Sequence, residues 1–489
     1  MPEFETVIGL EVHVELLTQT KLFCGCSTAF GAEPNTQVCP VCLGLPGGTL
    51  PRLNKTAAEY TIKAALALNC KVTSHLSFDR KNYFYADLPK GFQISQFFYP
   101  MGTNGYVEIH RNGETKKIGI RQLHLEEDTG KLSHFGDIMS SPFSRVDFNR
   151  AGVPLMEIVS DPDIRSAEEA RLYLQKLRTI LCYLGISDCK MEEGSMRCDA
   201  NISLRPVGSS ELGKKTELKN MNSFRSVFRG IEYEVERQCT VLLSGDSVIP
   251  ETRHWDEAKG VTRAMRSKFV SADYRCFPDP NIPPLPAAEA WVASIKTSIP
   301  ELPDAKYSRF IEEYGLPPYD AEVLTGSKEL AEFYDGVLAF YNEPKAASNW
   351  IMSELLGHLN AAGIGISETK IKPEALGKLL QLVGKGEISG KIAKSVFEEM
   401  FATGEDPAVI IGKKGLTQIS DEDTLTKIIN AVLAANPQSL KDYHSGKKKA
   451  LGFLVGQIMK ETKGQANPQL VNEMLQKKLK KLKSYTTEA

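Results

Sequence analysis

No run of apolar side chains in this 489-residue chain approaches the roughly 20 residues a helix needs to cross a bilayer. The start, Met1-Pro2-Glu3-Phe4-Glu5, has no basic stretch followed by an apolar one, so no secretion signal is read there. Neither a Walker A loop nor the glycine fingerprint of a dinucleotide fold is present, so any nucleotide site must be built on sheet faces instead. Ten cysteines without a secretion signal lead to the expectation of reduced thiols and a cytoplasmic location. A strong overall charge is also missing: the net is −2. That small figure hides an asymmetry. From Ser445 to Ala489 there are ten Lys against three Glu, or +7, which leaves −9 on residues 1–444. An acidic body with a basic tail suggests a polyanionic partner gripped at the C-terminal end.

What is present is ordinary in bulk and unusual in pattern. A chain this long exceeds a single hydrophobic core, and about three domains are expected. The stretch Gly9-Leu10-Glu11-Val12-His13-Val14-Glu15-Leu16 alternates strictly. It reads as a half-buried strand with Leu10, Val12, Val14 and Leu16 inward and Glu11, His13 and Glu15 side by side on the other face. Like charges two positions apart repel unless a cation joins them, although a solvated polar face would read the same way. Similar polar faces follow at Ile118–Leu125, which runs into His124-Leu125-Glu126-Glu127-Asp128, at Met196–Arg205, and at Lys215–Asn220. In the third, Arg197, Asp199, Asn201, Ser203 and Arg205 share a face; in the fourth, Lys215, Glu217 and Lys219 do. Antiparallel strands with one packed and one open face produce this layout. Four of them mixing acids with Arg and Lys look like a cradle for metal ions and phosphates, with several plain solvated strands as the alternative.

Cys24-Gly25-Cys26 and Cys39-Pro40-Val41-Cys42 have the spacing of a closed, four-thiolate structural zinc site. A redox pair at Cys39 and Cys42 is the rival, but no βαβ pattern surrounds it. Asn54 is expected to cap a helix ending near Asn69, and Ser166 with Glu169 to cap one stopped by Gly185. The run Asp79–Gln96 carries Arg80, Lys81, Tyr83 and Lys90. Its cations and rings could stack on a base and contact phosphates, or it is a β-hairpin with a Pro-Lys-Gly turn. Prolines 278, 280, 283, 284 and 286 mark a linker near 277–287. Helical patterns follow, with a second break near Gly412–Gly415.

Several long motifs together resemble the GatB family, whose members belong to the tRNA-dependent amidotransferase. They are Val7–Leu16, Asp79–Tyr85, Lys90–Gln96, Leu155–Asp163, Met191–Arg205 and, at the C-terminus, Gly456–Pro468. Tyr274-Arg275-Cys276-Phe277-Pro278 departs from the family pattern in having Cys where an aromatic residue is common. The resemblance implies an α+β fold in three parts. Residues 1–290 would be an antiparallel-sheet cradle like that of glutamine synthetase, carrying the zinc loop. Residues 291–412 would be helical, and 413–489 a small helical YqeY-like tail that binds tRNA. It further implies ATP-dependent phosphorylation of the side-chain carboxylate of misacylated Glu-tRNA(Gln) or Asp-tRNA(Asn), then amidation by ammonia. Glu11, His13, Glu126, Glu127, Glu193 and Glu217 are the candidate catalytic residues and Mg2+ ligands. His13 would suit Mn2+ better. Arg80, Lys81, Tyr83, Lys90, Arg197, Asp199, Arg205 and Lys219 are candidates for ATP or substrate, and Lys447, Lys448, Lys449, Lys460 and Lys463 for tRNA. The chain shows no Ser-Ser-Lys amidase or Cys-His-acid glutaminase pattern. The resemblance therefore implies two partners in a heterotrimer: an amidase-type glutaminase that supplies ammonia, and a small third polypeptide that belts the other two. A zinc-ribbon RNA binder without catalysis, or a stand-alone ligase using free ammonia, are the alternatives from other classes.

Overall fold

The computed structural model describes residues 3–111, 113–134, 141–267, 274–416, 422–445, 447, 449–462, 466 and 468–486. It divides into two compact units, 1–303 and 304–489.

The first unit is built on a nine-stranded sheet. Its strands are β1 (Phe4–Glu15), β2 (Lys71–Val72), β5 (Gly102–Arg111), β6 (Glu114–Glu127), β7 (Pro154–Ser160), β8 (Met196–Pro206), β9 (Thr216–Lys219), β10 (Glu251–Asp256) and β11 (Val261–Ser267). A hairpin, β3 (Asp79–Asn82) and β4 (Phe92–Ser95), lies between β2 and β5 in the chain. The spatial order in the large sheet is β11-β10-β9-β8-β1-β7-β6-β5-β2, antiparallel except for the β9–β10 pair. β1 sits at the centre, paired with β8 on one side and β7 on the other.

The alternation of β1 sorts its side chains as expected. Ile8, Leu10, Val12 and Val14 are fully buried, and they join one core with helices α1 (Lys55–Ala67), α2 (Ala167–Leu184) and α3 (Phe224–Leu243). The helices begin where their caps place them. The Asn54 side chain accepts from Ala57 N, and Ser166 from Glu169 N. Gly185, at φ 68°, supplies the left-handed residue that ends α2.

The proline-rich stretch near 277–287 is not a bare linker. Phe277–Pro278 pairs with β3, and Leu285–Pro286 pairs with His75–Leu76. Proline lacks an N–H and therefore suits such short edge pairings. The helix Glu289–Thr297 then packs back on the same core through Ile295 and Trp291. The first unit accordingly runs on to 303.

The second unit is helical among its described residues, from Pro303–Glu312 to Pro468–Thr486. Its last four helices, Glu422–Ala435, Pro437–His444, Lys449–Glu461 and Pro468–Thr486, share a core of Leu425, Ile429, Leu454, Ile458, Val471, Leu475 and Leu479. Large sheet first, helices after: the α+β class holds.

Candidate functional site

Strand register dictates what meets on the face turned away from the helices. His13 lies opposite Arg197 on β8 and Glu157 on β7, and Glu157 in turn lies opposite His124 on β6. Directly opposed side chains sit within about 5.5 Å at Cβ, so four charged groups form a row across four strands. Two positions along β1, roughly 7 Å away at the rise of a strand, Glu11 lies opposite Asp199. Glu217 on β9 faces the neighbouring Asn201.

Two sets of donors result. In the first, ligand atoms of His13, Glu126 and Glu157 all lie within 4.8 Å of one another. His13 Nε2 is 3.6 Å from Glu157 Oε2 and 3.9 Å from Glu126 Oε1. His124 backs this set: its Nε2 is 3.0 Å from Glu157 Oε2 and 3.3 Å from Glu126 Oε2. In the second, Glu11, Asp199 and Glu217 converge within the same 4.8 Å. Lys219 bridges Asp199 and Glu217, and Asn201 Nδ2 donates to Glu11 Oε1 at 2.9 Å. Three carboxylates are an oxygen-only set that fits Mg2+, whereas an imidazole with two carboxylates fits Mn2+ more readily.

The electrostatics explain why these acids tolerate one another. Burial pulls the imidazole of His124 toward neutrality, but the charge of Glu157 and the hydrogen bonds to Glu126 and Glu157 outweigh it and raise its pKa to about 10. Burial likewise lowers His13, and its contacts with Glu157 and Glu126 again produce a net rise. Glu157 is held well below the usual carboxylate range: burial opposes this, and the neighbouring imidazoles win. At the edge of the first set Arg197 reaches Asp128 at 2.5 Å, and Asp128 also meets Arg150 at 3.5 Å. Glu15 beside them is raised to about 8, first by burial and then by the charge of Asp128.

The expected site residues do not all converge. Glu11, His13, Glu126, Glu217, Asp199, Lys219 and Arg197 come together as described. Glu127, one position past Glu126, turns elsewhere: its carboxylate pairs with Lys90 and accepts from Ile94 N at 3.3 Å. Glu193 lies on a half-exposed turn and pairs with Lys190 at 3.0 Å. Arg205 pairs with Glu5 at 2.6 Å, six residues along β8 from Asp199 and so about 20 Å away. The run Asp79–Gln96 is the hairpin. Arg80 pairs with Asp279 at 2.8 Å, Lys81 lies over Tyr83 and Tyr274, and Tyr83 Oη donates to Gln93 Oε1 at 3.2 Å. The hairpin still touches the first set, because Ser95 Oγ donates to Glu126 Oε2 at 3.0 Å. Sequence reasoning passed over His124 and Glu157. Yet His124 shares its face with Glu126 by strand parity, and Glu157 is the single charge in the apolar strand Pro154–Ser160.

The four cysteines also converge, with all Sγ atoms within 4.8 Å, and none forms a disulfide. The short turn Pro40–Leu43 aims Cys39 N at Cys42 Sγ, 3.2 Å away. Cys42 is pulled down to about 4, chiefly by the Cys24 thiol and further by Cys39 N and the Lys21 ammonium, although burial opposes it. A low-pKa thiol among three others is the donor set a structural zinc ion takes. In the second unit Lys447, Lys449 and Lys460 are exposed, with Lys447 3.0 Å from Asp442; Lys448 and Lys463 lie outside the described residues.

Comparison with known proteins agrees with this geometry. A family described as the GatB/GatE catalytic domain matches residues 6–293, and one described as the GatB domain matches 332–479. A protein of Carboxydothermus hydrogenoformans, named as the GatB-type subunit of aspartyl/glutamyl-tRNA(Asn/Gln) amidotransferase, is 58% identical over 482 residues, which cover 99% of this chain and 100% of that protein. Proteins of the same name from a Thermoanaerobacter species, 56% identical over 98% of this chain, and from Brevibacillus brevis, 54% identical over 99%, are also matched along their full length. The chain therefore belongs to the GatB family, whose members are subunits of the aspartyl/glutamyl-tRNA(Asn/Gln) amidotransferase, an enzyme complex.

Proposed function

We propose that the open face of the central sheet activates the side-chain carboxylate of Glu or Asp carried on a mismatched tRNA. A carboxylate is a poor electrophile, because its leaving group would be an oxide. When one of its oxygens attacks the γ-phosphorus of ATP, the bond to ADP breaks and an acyl phosphate forms. Ammonia then attacks the acyl carbon, and the phosphate leaves with the former carboxylate oxygen. Glu11, Asp199 and Glu217 would hold Mg2+, and His13, Glu126 and Glu157 a second divalent ion. Such ions would neutralise the phosphates and bring two anions together. Lys219 and Arg197 supply fixed positive charge beside the acids, and His124 keeps Glu126 and Glu157 ionised and oriented. Glu127 and Glu193 have no part in either set.

The remaining expectations fit this reading. The four cysteines would carry structural zinc. The exposed lysines Lys447, Lys449 and Lys460 would meet the tRNA backbone from a YqeY-like tail, behind a middle helical domain and a glutamine-synthetase-like cradle. Ammonia would come from an amidase-type glutaminase, joined by a small third polypeptide in a heterotrimer, in the cytoplasm. No helix among the described residues is long and apolar enough to cross a membrane.

The observation that carries the proposal is the pair of donor sets on neighbouring rows of one sheet face. Its test is phosphorylation of the charged amino acid from labelled ATP, measured in the complex with misacylated tRNA. Glu157→Gln and Asp199→Asn should each lower the rate at least 100-fold while tRNA binding persists. Unchanged rates in both would remove the metal assignment, and a wild-type complex that consumes no ATP would leave only an RNA binder.

A further inference from the structure

Lys21 is an odd residue to bury. Its side chain is 1% exposed, and an ammonium removed from water costs several kcal/mol unless an anion faces it. It lines a cavity of about 260 Å3 that also holds Arg80, Lys90, Glu127 and Asp279. Those four are already matched as Lys90–Glu127 and Arg80–Asp279. Among the described residues Lys21 Nζ instead reaches Cys42 Sγ at 3.7 Å and the carbonyl of Phe148 at 3.2 Å. Its backbone N–H donates to the carbonyl of Cys26 at 3.0 Å, so the same residue is tied to both halves of the cysteine quartet.

Resting on the zinc reading above, we propose that Lys21 is the built-in counter-ion of the zinc–thiolate centre and positions Cys42 for the metal. Zn2+ bound by four thiolates carries a net charge of −2, and that charge sits next to a dry cavity wall rather than in water. One ammonium within contact distance of a ligand sulfur halves it. The Phe148 carbonyl takes a second of the three ammonium protons and fixes where the charge points. A buried lysine and a buried thiolate centre thus justify each other, each being costly alone. The outer partners of metal ligands typically change metal affinity 10- to 100-fold when removed.

The test uses the full chain, purified under reducing conditions, with zinc content measured by elemental analysis. Zinc release is then followed with a chromophoric chelator. Wild-type protein without zinc would sink the zinc reading itself, independently of Lys21. With zinc present, Lys21→Met should release it at least ten times faster than wild type, and Lys21→Arg, which keeps the charge, within about three-fold. Release from Lys21→Met at the wild-type rate overturns the proposal. Should Lys21→Met be insoluble, it is made again with all four cysteines changed to serine. Recovery of soluble protein there supports the counter-ion role, and continued insolubility shows that Lys21 serves packing alone and overturns it.

Discussion

Changing His124 to glutamine should make the stability of the sheet-bearing unit less sensitive to pH. His124 is buried, and Glu126 and Glu157 hold its pKa near 10 against an ordinary 6.5. A group raised in the folded state contributes fully below its unfolded pKa, and the contribution is lost as pH rises through the folded value. The window therefore runs from about 6.5 to about 10. At about 1.4 kcal/mol per pH unit the gap is worth roughly 5 kcal/mol. The substituted amide can still donate one hydrogen bond to Glu157, worth about 1.5–3 kcal/mol, so a net loss of about 3 kcal/mol is expected near pH 6. Urea unfolding between pH 6 and 10, without added divalent ions, measures it. Trp255 and Trp291 report on this unit, and a Trp350→Phe background silences the other. Wild type should lose its advantage over His124→Gln steadily across the window. Parallel curves for the two proteins would refute the imidazolium between the two acids. On the proposed metal reading, added Mn2+ should shrink the difference, because the ion takes up the carboxylate charge on which His124 depends.

Two further outcomes are expected. Leu10→Ala, at a fully buried position of the central strand, should cost about 3 kcal/mol in unfolding free energy and lower the thermal midpoint; a cost below about 1 kcal/mol would mean the core there can collapse. Deleting residues 445–489 would strip Leu454, Ile458, Val471 and Leu475 from their shared core, so the clean probe of RNA contact is Lys449→Gln with Lys460→Gln. Binding of tRNA should weaken and its log–log salt slope flatten by about two, and an unaltered slope would say that these lysines do not touch RNA.

Much of this arrangement is legible in the chain because strand parity is strict. Alternation alone puts Glu11 with His13, Arg197 with Asp199 and Glu217 with Lys219, and all six are found together on one face. The same rule separates Glu126 from Glu127, which adjacency in the chain had grouped, and joins Glu126 to His124. Glu157 was harder to see. A single acid in an apolar strand looks like an edge residue until its pairing is known, and register between distant strands is not written in either one. The proline cluster misled for a related reason: its residues lie at edges, where a missing N–H goes unpunished, and the core then continues through Trp291 and Ile295.

Because β1 is shared, the two acid sets are not independent modules. Glu11 belongs to one and His13 to the other, and both are aimed by the same four inward residues, Ile8, Leu10, Val12 and Val14. A slip of a single residue in that strand would turn both side chains into the hydrocarbon interior at once and bring four greasy ones out. A partly damaged centre, competent at one set and lacking the other, is therefore hard to reach by misfolding. Faulty copies of this protein would be dead rather than error-prone, a safer failure for a chain whose relatives are named for work on charged tRNA.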